Sequence, residues 1–291
     1  MLNLNDKPAV MLDISKLHPF KDHPYKVLDN DEMQELTDSV RQNGILSALI
    51  VRPLESGNGY EVISGHRRLH AAQLAGLTEV PAHVYDIDHD TAAIWMVDSN
   101  LHREHILPSE KAFALLIKTN ALKKQGKRSD LTSSQNETKL RTDEILAKDT
   151  GESRATVQRY IRLTQLIPDL LRLVDEGKMA ISPAVDLSFL PQTHQKYLFQ
   201  LFDKAQALPN LQQAQEMKRR YQNGCLLPKE MDEIMGREKP NQTPKLHIRM
   251  DKFAKYFPKD ETPQEIEAYL FHLLEEDRLR KARKRKLDLE R

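Results

Sequence analysis

Residues 63–72 read Ile-Ser-Gly-His-Arg-Arg-Leu-His-Ala-Ala, and here an extended segment changes into a helix that we expect to end at Gly76. Glycine at position 65 allows the backbone to approach a ligand closely. Unpaired amides at a helix start, beside the guanidinium groups of Arg67 and Arg68, suit a bound phosphate. A helix whose two arginines are only solvated fits the same stretch equally well.

The chain on either side of this stretch alternates strand-like and helix-like patterns. Val10, Leu12 and Ile14 alternate with other residues, as in a half-buried strand. Further strands are predicted over residues 48–51, 60–63 and 80–84, and a helix before Gly44 carries its apolar residues on one face. The pattern predicts a small α/β module over residues 1–95.

Composition narrows the class of protein. Charged residues make up 30% of the 291-residue chain and the net charge is +1, so any basic surface must be local. Cys225 is the single cysteine, which excludes an internal disulfide and a cysteine-rich metal site. The chain start has no signal-peptide profile, and no apolar run has membrane-spanning length. We therefore expect a cytoplasmic protein without a membrane partner.

From about residue 90 onward the pattern becomes helical, which makes the predicted fold class α+β. A helix begins at Pro108, residues 123–142 are predicted as a mobile loop, and helical periodicity returns over residues 143–224. Residues 235–244 are typical of a linker, and a helical tail with a basic run at 278–286 follows. We predict a helical domain over residues 96–225 and a linker with a basic helical tail over 226–291.

Residues 143–164 have the pattern of a helix-turn-helix. A short helix stops at Gly151, Ser153 can cap the next helix, and Val157 and Ile161 face inward. Arginine can pair with guanine and glutamine with adenine in the major groove. An ordinary helical hairpin with a charged outer face is the alternative. The predicted DNA-binding residues are Ser153, Arg154, Ala155, Thr156, Gln158, Arg159 and Arg162.

Taken together, these motifs resemble the ParB/Spo0J family of chromosome and plasmid partition proteins. Gly65-His66-Arg67-Arg68 resembles the family's Gly-Glu-Arg-Arg box, and Asn100-Leu101-His102-Arg103 resembles its Glu-Asn-x-x-Arg box. The resemblance covers about residues 8–190 and implies a ParB/sulfiredoxin-like module followed by the helix-turn-helix domain. Beyond residue 225 the chain does not show the family's usual dimerisation domain.

The resemblance implies a CTP-gated DNA clamp. The residues carried over to a nucleotide site are Gly65, His66, Arg67, Arg68, Asn100 and Arg103, and Asn100 would also hold Mg²⁺. The implied partners are double-stranded DNA with a palindromic site, a second copy of the chain and a ParA-type ATPase. The implied location is the nucleoid.

Two positions depart from the family's pattern. His66 and Ser99 stand where the family has glutamates that are linked to nucleotide hydrolysis. Asp98 is a carboxylate one position from Ser99, but on a regular helix it would point elsewhere. We therefore expect nucleotide binding with slow hydrolysis or none.

Other protein classes share parts of this pattern. Sulfiredoxins carry a cysteine nucleophile after the corresponding glycine, whereas Cys225 lies 160 residues after Gly65. ParB-like serine kinases need a carboxylate near the phosphates, and Glu61 and Glu79 are the nearest candidates. A transcription regulator or nucleoid-associated protein that uses the helix-turn-helix without a nucleotide remains an alternative.

Overall fold

The computed structural model describes residues 7–55, 57–101, 103, 106–130, 142–205, 207–237, 266, 269–278, 280 and 281. The chain forms two compact units, Met1–Arg237 and Glu238–Arg291. Among the described residues, no helix combines the length and the apolar character needed to cross a lipid bilayer.

A mixed five-stranded sheet organises the first part of the chain. The strands are β1 (Val10–Asp13), β2 (Leu17–Pro19), β3 (Leu49–Pro53), β4 (Tyr60–Ser64) and β5 (Glu79–Val84), in the spatial order β1-β5-β3-β4-β2. Strand β3 pairs antiparallel with β4 and parallel with β5, β2 pairs parallel with β4, and β1 pairs antiparallel with β5. The short strand β2 was not predicted, because three residues are too few to show a period.

The two faces of the sheet belong to different hydrophobic clusters, because successive side chains of a strand point to opposite faces. Val62 of β4 packs with α1 (Asp31–Asn43) and α2 (His66–Ala75), whereas its neighbour Ile63 packs with α3 (His89–Asp98) and α4 (Pro108–Asp130). Leu49, Val51, Val62 and Ile63 are at most 1% exposed, so both faces of the central strands are covered. The predicted α/β fold of this part of the chain is confirmed.

The helical part of the first unit contains α5 to α11. Their bounds are α5 Thr142–Thr150, α6 Arg154–Leu163, α7 Pro168–Asp175, α8 Ile181–Leu187, α9 Gln192–Ala205, α10 Leu211–Gln222 and α11 Pro228–Gly236. One cluster of buried leucines and methionines from α6 to α11 forms the core of this part. A second, smaller cluster, built on Leu115, Leu146 and Val157, packs α5 and α6 against α4.

Helix α4 corrects the prediction of a loop over residues 123–142. It continues to Asp130, because polar contacts bind its second half to α3. Lys124 Nζ lies 3.3 Å from Asp90 Oδ1, and Gln125 Nε2 donates to Thr91 Oγ1 at 3.0 Å. These partners lie more than thirty residues away in sequence, so a local pattern cannot show them. Residues 131–141 of the predicted loop lie outside the described residues.

Lys118 joins three helices at the middle of α4. Its side chain is 2% exposed, and its Nζ lies 2.5 Å from Asp98 Oδ1 and 2.7 Å from Asp149 Oδ2. Asp98 is the last residue of α3, and Asp149 belongs to α5. A buried ammonium group needs such partners, because desolvation strongly disfavours an unpaired charge. Lys118 therefore links the end of α3 to the first helix of the predicted helix-turn-helix.

The C-terminal boundaries also differ in part from the prediction. Met235 belongs to α11 and packs on the main helical core, so the predicted linker cannot begin there. In the second unit, residues 266, 269–278, 280 and 281 are helical, as predicted for the tail. Ile266 is buried, whereas Tyr269, Phe271 and Leu274 are more than half exposed. Residues 282–286 of the basic run lie outside the described residues.

Candidate nucleotide pocket and nucleic-acid interface

The turn between β4 and α2 requires the glycine at position 65. Gly65 has φ +102°, and a Cβ there would lie 3.1 Å from Leu49 Cγ and 3.2 Å from Arg68 Nη2. A side chain at this position would therefore meet both backbone strain and steric crowding. Within the described residues, no side chain caps α2, so its first amides remain donors for another acceptor.

A small, partly open pocket lies at the start of α2. Cationic side chains from three separate segments meet here: Lys26, Arg67 and Arg103. No carboxylate is found among the described lining residues, so the pocket favours an anionic ligand. The lining consists of His23, Tyr25, Lys26, Val27, Gly65, His66, Arg67, Asn100 and Arg103.

Two histidines form one wall of the pocket. The rings of His66 and His23 stack with their centroids 3.7 Å apart, and His66 Nε2 accepts a hydrogen bond from Phe20 N at 3.3 Å. Burial, with smaller contributions from His23 and Arg103, lowers the pKa of His66 from 6.5 to about 3. Burial also lowers the pKa of His23. His66 is therefore neutral near pH 7 and acts as an acceptor that holds the Phe20 backbone.

The second predicted box contributes Asn100 and Arg103. Asn100 is 4% exposed, and its Nδ2 donates to Met96 O at 2.7 Å and to Ser99 Oγ at 3.1 Å. Because both bonds use the amide nitrogen, the amide oxygen is the atom that could meet a ligand. The guanidinium carbon of Arg103 lies 5.7 Å from the centroid of the Tyr25 ring. The structure thus brings the two predicted boxes together in one pocket.

Arg68 lies apart from the pocket lining. Its Nη1 donates to Ser47 O and, at 2.9 Å, to Ala48 O, at the entry to β3. Burial lowers the pKa of Arg68. Arg67, in contrast, lines the pocket and pairs with the exposed Glu32, with Nη2 3.0 Å from Oε2. In this conformation Arg68 holds the strand that precedes the pocket, and Arg67 faces the pocket.

Helices α5 and α6 form the predicted helix-turn-helix. Gly151 has φ +68° in the turn, and the side chain of Ser153 caps α6 by accepting from Thr156 N at 3.1 Å. Val157 is fully buried in the cluster shared with α4, with Tyr160 and Ile161 packed beside it. Lys111 fixes the turn from α4, because its Nζ pairs with Glu152 and lies 4.5 Å from the centroid of the Tyr160 ring.

The outer face of α6 is narrower than the sequence indicated. Arg154, Ala155, Gln158 and Arg159 are exposed, with Arg154 paired to Glu144 and Arg159 donating to Ser182. Arg162 is only partly exposed. Its Nη2 donates to Ser188 O at 2.8 Å, and its guanidinium carbon lies 4.0 Å from the centroid of the Phe189 ring. The residues that follow α8 thus lie beside Arg162, and its role in DNA binding stays a prediction.

Comparison with known proteins identifies the domain that carries the pocket. Residues 2–101 match the family model described as the ParB N-terminal domain. Residues 2–101 are called the ParB domain after the model that they match. The chain is 34% identical over 182 residues to the chromosome-partitioning protein Spo0J of Thermus thermophilus, covering 62% of this chain and 60% of that relative. It thus spans less than two thirds of the relative's length.

Solved structures of ParB proteins are also similar to this chain. One is a C-terminally truncated ParB from Caulobacter crescentus complexed to the centromeric parS site, with 21% identity, a TM-score of 0.39, and coverage of 72% of this chain and 99% of that one. Another is the same protein complexed with CTP-γ-S, with 23% identity, a TM-score of 0.31, and coverage of 62% and 92%.

The ParB domain contains pocket residues that the sequence motifs did not indicate. Lys26, Tyr25 and His23 reach the pocket from the segment between β2 and α1, which has no recognisable box. The only signal in the sequence was a cluster of polar and aromatic residues before a helix. Gly65, His66, Arg67, Asn100 and Arg103 line the pocket, whereas Arg68 does not.

The pocket of the ParB domain fits Mg²⁺ only together with a phosphate ligand. Mg²⁺ prefers oxygen ligands, and Asn100 is the lining residue with a suitable amide oxygen. In the part of the chain that the structure describes, no group of three or more acidic, histidine or cysteine side chains is placed to hold a metal ion. Phosphate oxygens and water would therefore have to complete the coordination.

Protonation of His66 should destabilise the ParB domain at acid pH. Its pKa of about 3 in the folded protein lies below the 6.5 of the free side chain, so the unfolded chain binds more protons between these values. The free energy of unfolding should therefore fall as the pH drops from about 6.5, by at most about 1.4 kcal/mol per pH unit. Urea unfolding of the wild type and of His66→Gln across this range tests the effect. Equal pH dependence of the two proteins would contradict it.

Proposed function

We propose that this protein is a site-specific DNA-binding partition protein that acts in chromosome or plasmid segregation. The observation that carries the proposal is the capped helix-turn-helix with Ala155, Gln158 and Arg159 exposed on α6, in the same chain as a ParB N-terminal domain. The named function of the Thermus thermophilus relative supports it. Duplex DNA with a palindromic site is the proposed partner, because a symmetric site matches two copies of the chain.

We further propose that the pocket binds CTP with Mg²⁺ and that binding closes a dimeric clamp around DNA. Lys26, Arg67 and Arg103 would meet phosphates, together with the amides at the start of α2, and Asn100 would meet the metal. A nucleotide can favour the closed clamp only if it binds that state more tightly than the open one. Hydrolysis should be slow or absent, since no carboxylate is present among the described lining residues.

The domain roles follow from these assignments. Residues 1–95, together with Asn100 and Arg103, would bind the nucleotide, and the helix-turn-helix of the helical domain would bind DNA. The tail after Arg237 would contribute the second-subunit contact and further affinity for DNA. A basic tail would add sequence-independent affinity that weakens steeply with salt. A ParA-type ATPase would be the further partner of such a partition protein. All of these assignments would place the protein at the nucleoid.

DNA recognition is tested by selecting sites from a random duplex library with the full-length protein. We expect a palindromic consensus, and we expect Gln158→Ala and Arg159→Ala each to weaken binding to that consensus by about 5–150-fold, the loss of one base contact. Arg172→Ala on α7 is the matched control, because Arg172 is an exposed arginine paired only with near neighbours in the described structure. If the library yields no consensus and all variants bind DNA equally well, α6 is not the recognition surface.

Nucleotide recognition is tested by isothermal titration of the four ribonucleoside triphosphates with Mg²⁺, with and without the selected DNA. We expect CTP to bind selectively and more tightly when DNA is present. A transcription regulator that uses no nucleotide is the second candidate. It is favoured by the position of Arg68, which contacts Ser47 O and Ala48 O and does not line the pocket. Absence of any nucleotide binding, with DNA recognition intact, would decide for the regulator.

A further inference from the structure

A carboxylate lies at the start of α6, the helix that would read DNA. Glu152 directly precedes Ser153, the residue that caps α6. The N-terminal residues of a recognition helix usually approach the base edges, and phosphates bind readily at helix N-termini. A negative charge at this point therefore opposes the approach of a DNA phosphate.

The turn between α5 and α6 fixes the position of Glu152. Its amide donates to Ala147 O at 3.2 Å and to Thr150 Oγ1 at 3.3 Å. Its side chain is 25% exposed, and within the described part of the chain its Oε2 is buried without a hydrogen-bond partner. The negative charge therefore stays close to the start of α6, and its balance depends on the group that pairs with Oε1.

Lys111 of α4 is the group that pairs with Oε1 of Glu152. Its Nζ also lies 4.5 Å from the centroid of the Tyr160 ring on α6. The side chain of Lys111 is 21% exposed, so solvent screens this ion pair less than it screens a pair on the surface. Lys111 thus contacts both the turn and α6, and it brings a positive charge to the carboxylate beside the DNA-reading face.

We propose that the Lys111–Glu152 ion pair sets the affinity of α6 for DNA. Glu152 weakens binding of the phosphate backbone, and Lys111 is the positioning residue that limits this effect. This inference rests on the proposed DNA-binding function. Because phosphates are common to all sequences, the pair should change the affinity for specific and non-specific duplexes by similar factors.

Titration of four full-length proteins tests the role of the pair: the wild type, Glu152→Gln, Lys111→Met and Lys111→Met/Glu152→Gln. The probes are the palindromic duplex selected from the library and a scrambled duplex of equal length. Glu152→Gln keeps an acceptor for Lys111 Nζ but loses the charge, so it should bind both duplexes about 2–10-fold more tightly. Lys111→Met should bind both about 3–30-fold more weakly, and the double variant should lie within about threefold of the wild type.

Salt dependence separates this electrostatic role from a role in holding the turn. The Debye length falls from about 10 Å at 0.1 M salt to about 3 Å at 1 M salt, so the differences between the variants should shrink as salt is added. Glu176→Gln is the matched control. Glu176 also pairs with a lysine, with Lys178 Nζ 2.7 Å from its Oε2, but it lies outside the helix-turn-helix. This variant should bind both duplexes as the wild type does.

The sign of the change in Glu152→Gln decides the inference. If this variant binds DNA as the wild type does, or more weakly, the pair only holds the turn, and the proposed DNA-binding function still stands. Urea unfolding measures the stability of Lys111→Met, and if that variant does not fold, Glu152→Gln alone is decisive. If the wild type selects no duplex from the library, the proposed function fails and this inference fails with it.

Discussion

Glu61→Ala should lower the free energy of unfolding by about 3–5 kcal/mol, the usual effect of removing one partner from a buried ion pair. Glu61 and Arg52 lie opposite each other on β4 and β3, each with a side chain 6% exposed, and Glu61 Oε2 lies 2.7 Å from Arg52 Nε. The other oxygen of Glu61 accepts from Lys21 N at 3.1 Å. The substitution would therefore leave a buried guanidinium and a backbone amide without an acceptor.

Replacing both residues of the ion pair separates two causes of instability: a buried charge without a partner, and the loss of the ion pair itself. The double variant Arg52→Met/Glu61→Leu should be within about 1–2 kcal/mol of the wild type, because apolar residues often replace buried ion pairs without loss. Urea unfolding of both variants measures the difference. Equal destabilisation of the single and double variants would contradict this account.

The same contacts bear on the kinase alternative. Both oxygens of Glu61 already have partners, Arg52 on one side and Lys21 on the other. Glu61 is also absent from the pocket lining. Its role in this structure is to hold the segment that leads to the pocket, so a loss of activity in Glu61→Ala would have to be corrected for unfolding.

Removing both carboxylates around Lys118 should have an effect of similar size. In Asp98→Ala/Asp149→Ala, an ammonium group that is 2% exposed would lose both of its ion-pair partners. We expect a loss of about 3–5 kcal/mol in the free energy of unfolding, again measured with urea. Lys118→Met should be nearly neutral or stabilising, because the two carboxylates are half-exposed and can hydrate once the lysine is absent.

Lys123→Met is the control on the same helix. Lys123 is exposed, so its replacement should change the free energy of unfolding by less than about 1 kcal/mol. If Lys118→Met is as unstable as the double carboxylate variant, the instability comes from the lost ion pairs and not from a buried ammonium group without partners. That result would contradict the expected order of the variants.

Local sequence information was sufficient where a residue's role depends on its neighbours in the chain. Gly65, Gly151 and Ser153 have the turn and capping roles that their positions indicated, because these roles depend on backbone conformation over a few residues. The central strands were predicted for a similar reason, since alternating or continuous apolar residues reveal sheet faces. The end of α4 was predicted wrongly, because contacts with α3 extend it through a polar stretch.

The fold class, the two motif boxes and the helix-turn-helix could be predicted from the chain, because strand and helix periods and turn residues act over short distances. Which charged groups line the pocket or lie on the exposed face of α6 depends on contacts between distant segments. Lys26 enters the pocket from another segment, Arg68 turns to the carbonyls before β3, and Arg162 contacts the residues that follow α8. These outcomes depend on which distant backbone oxygens and carboxylates lie within reach, and chain folding alone brings those groups together.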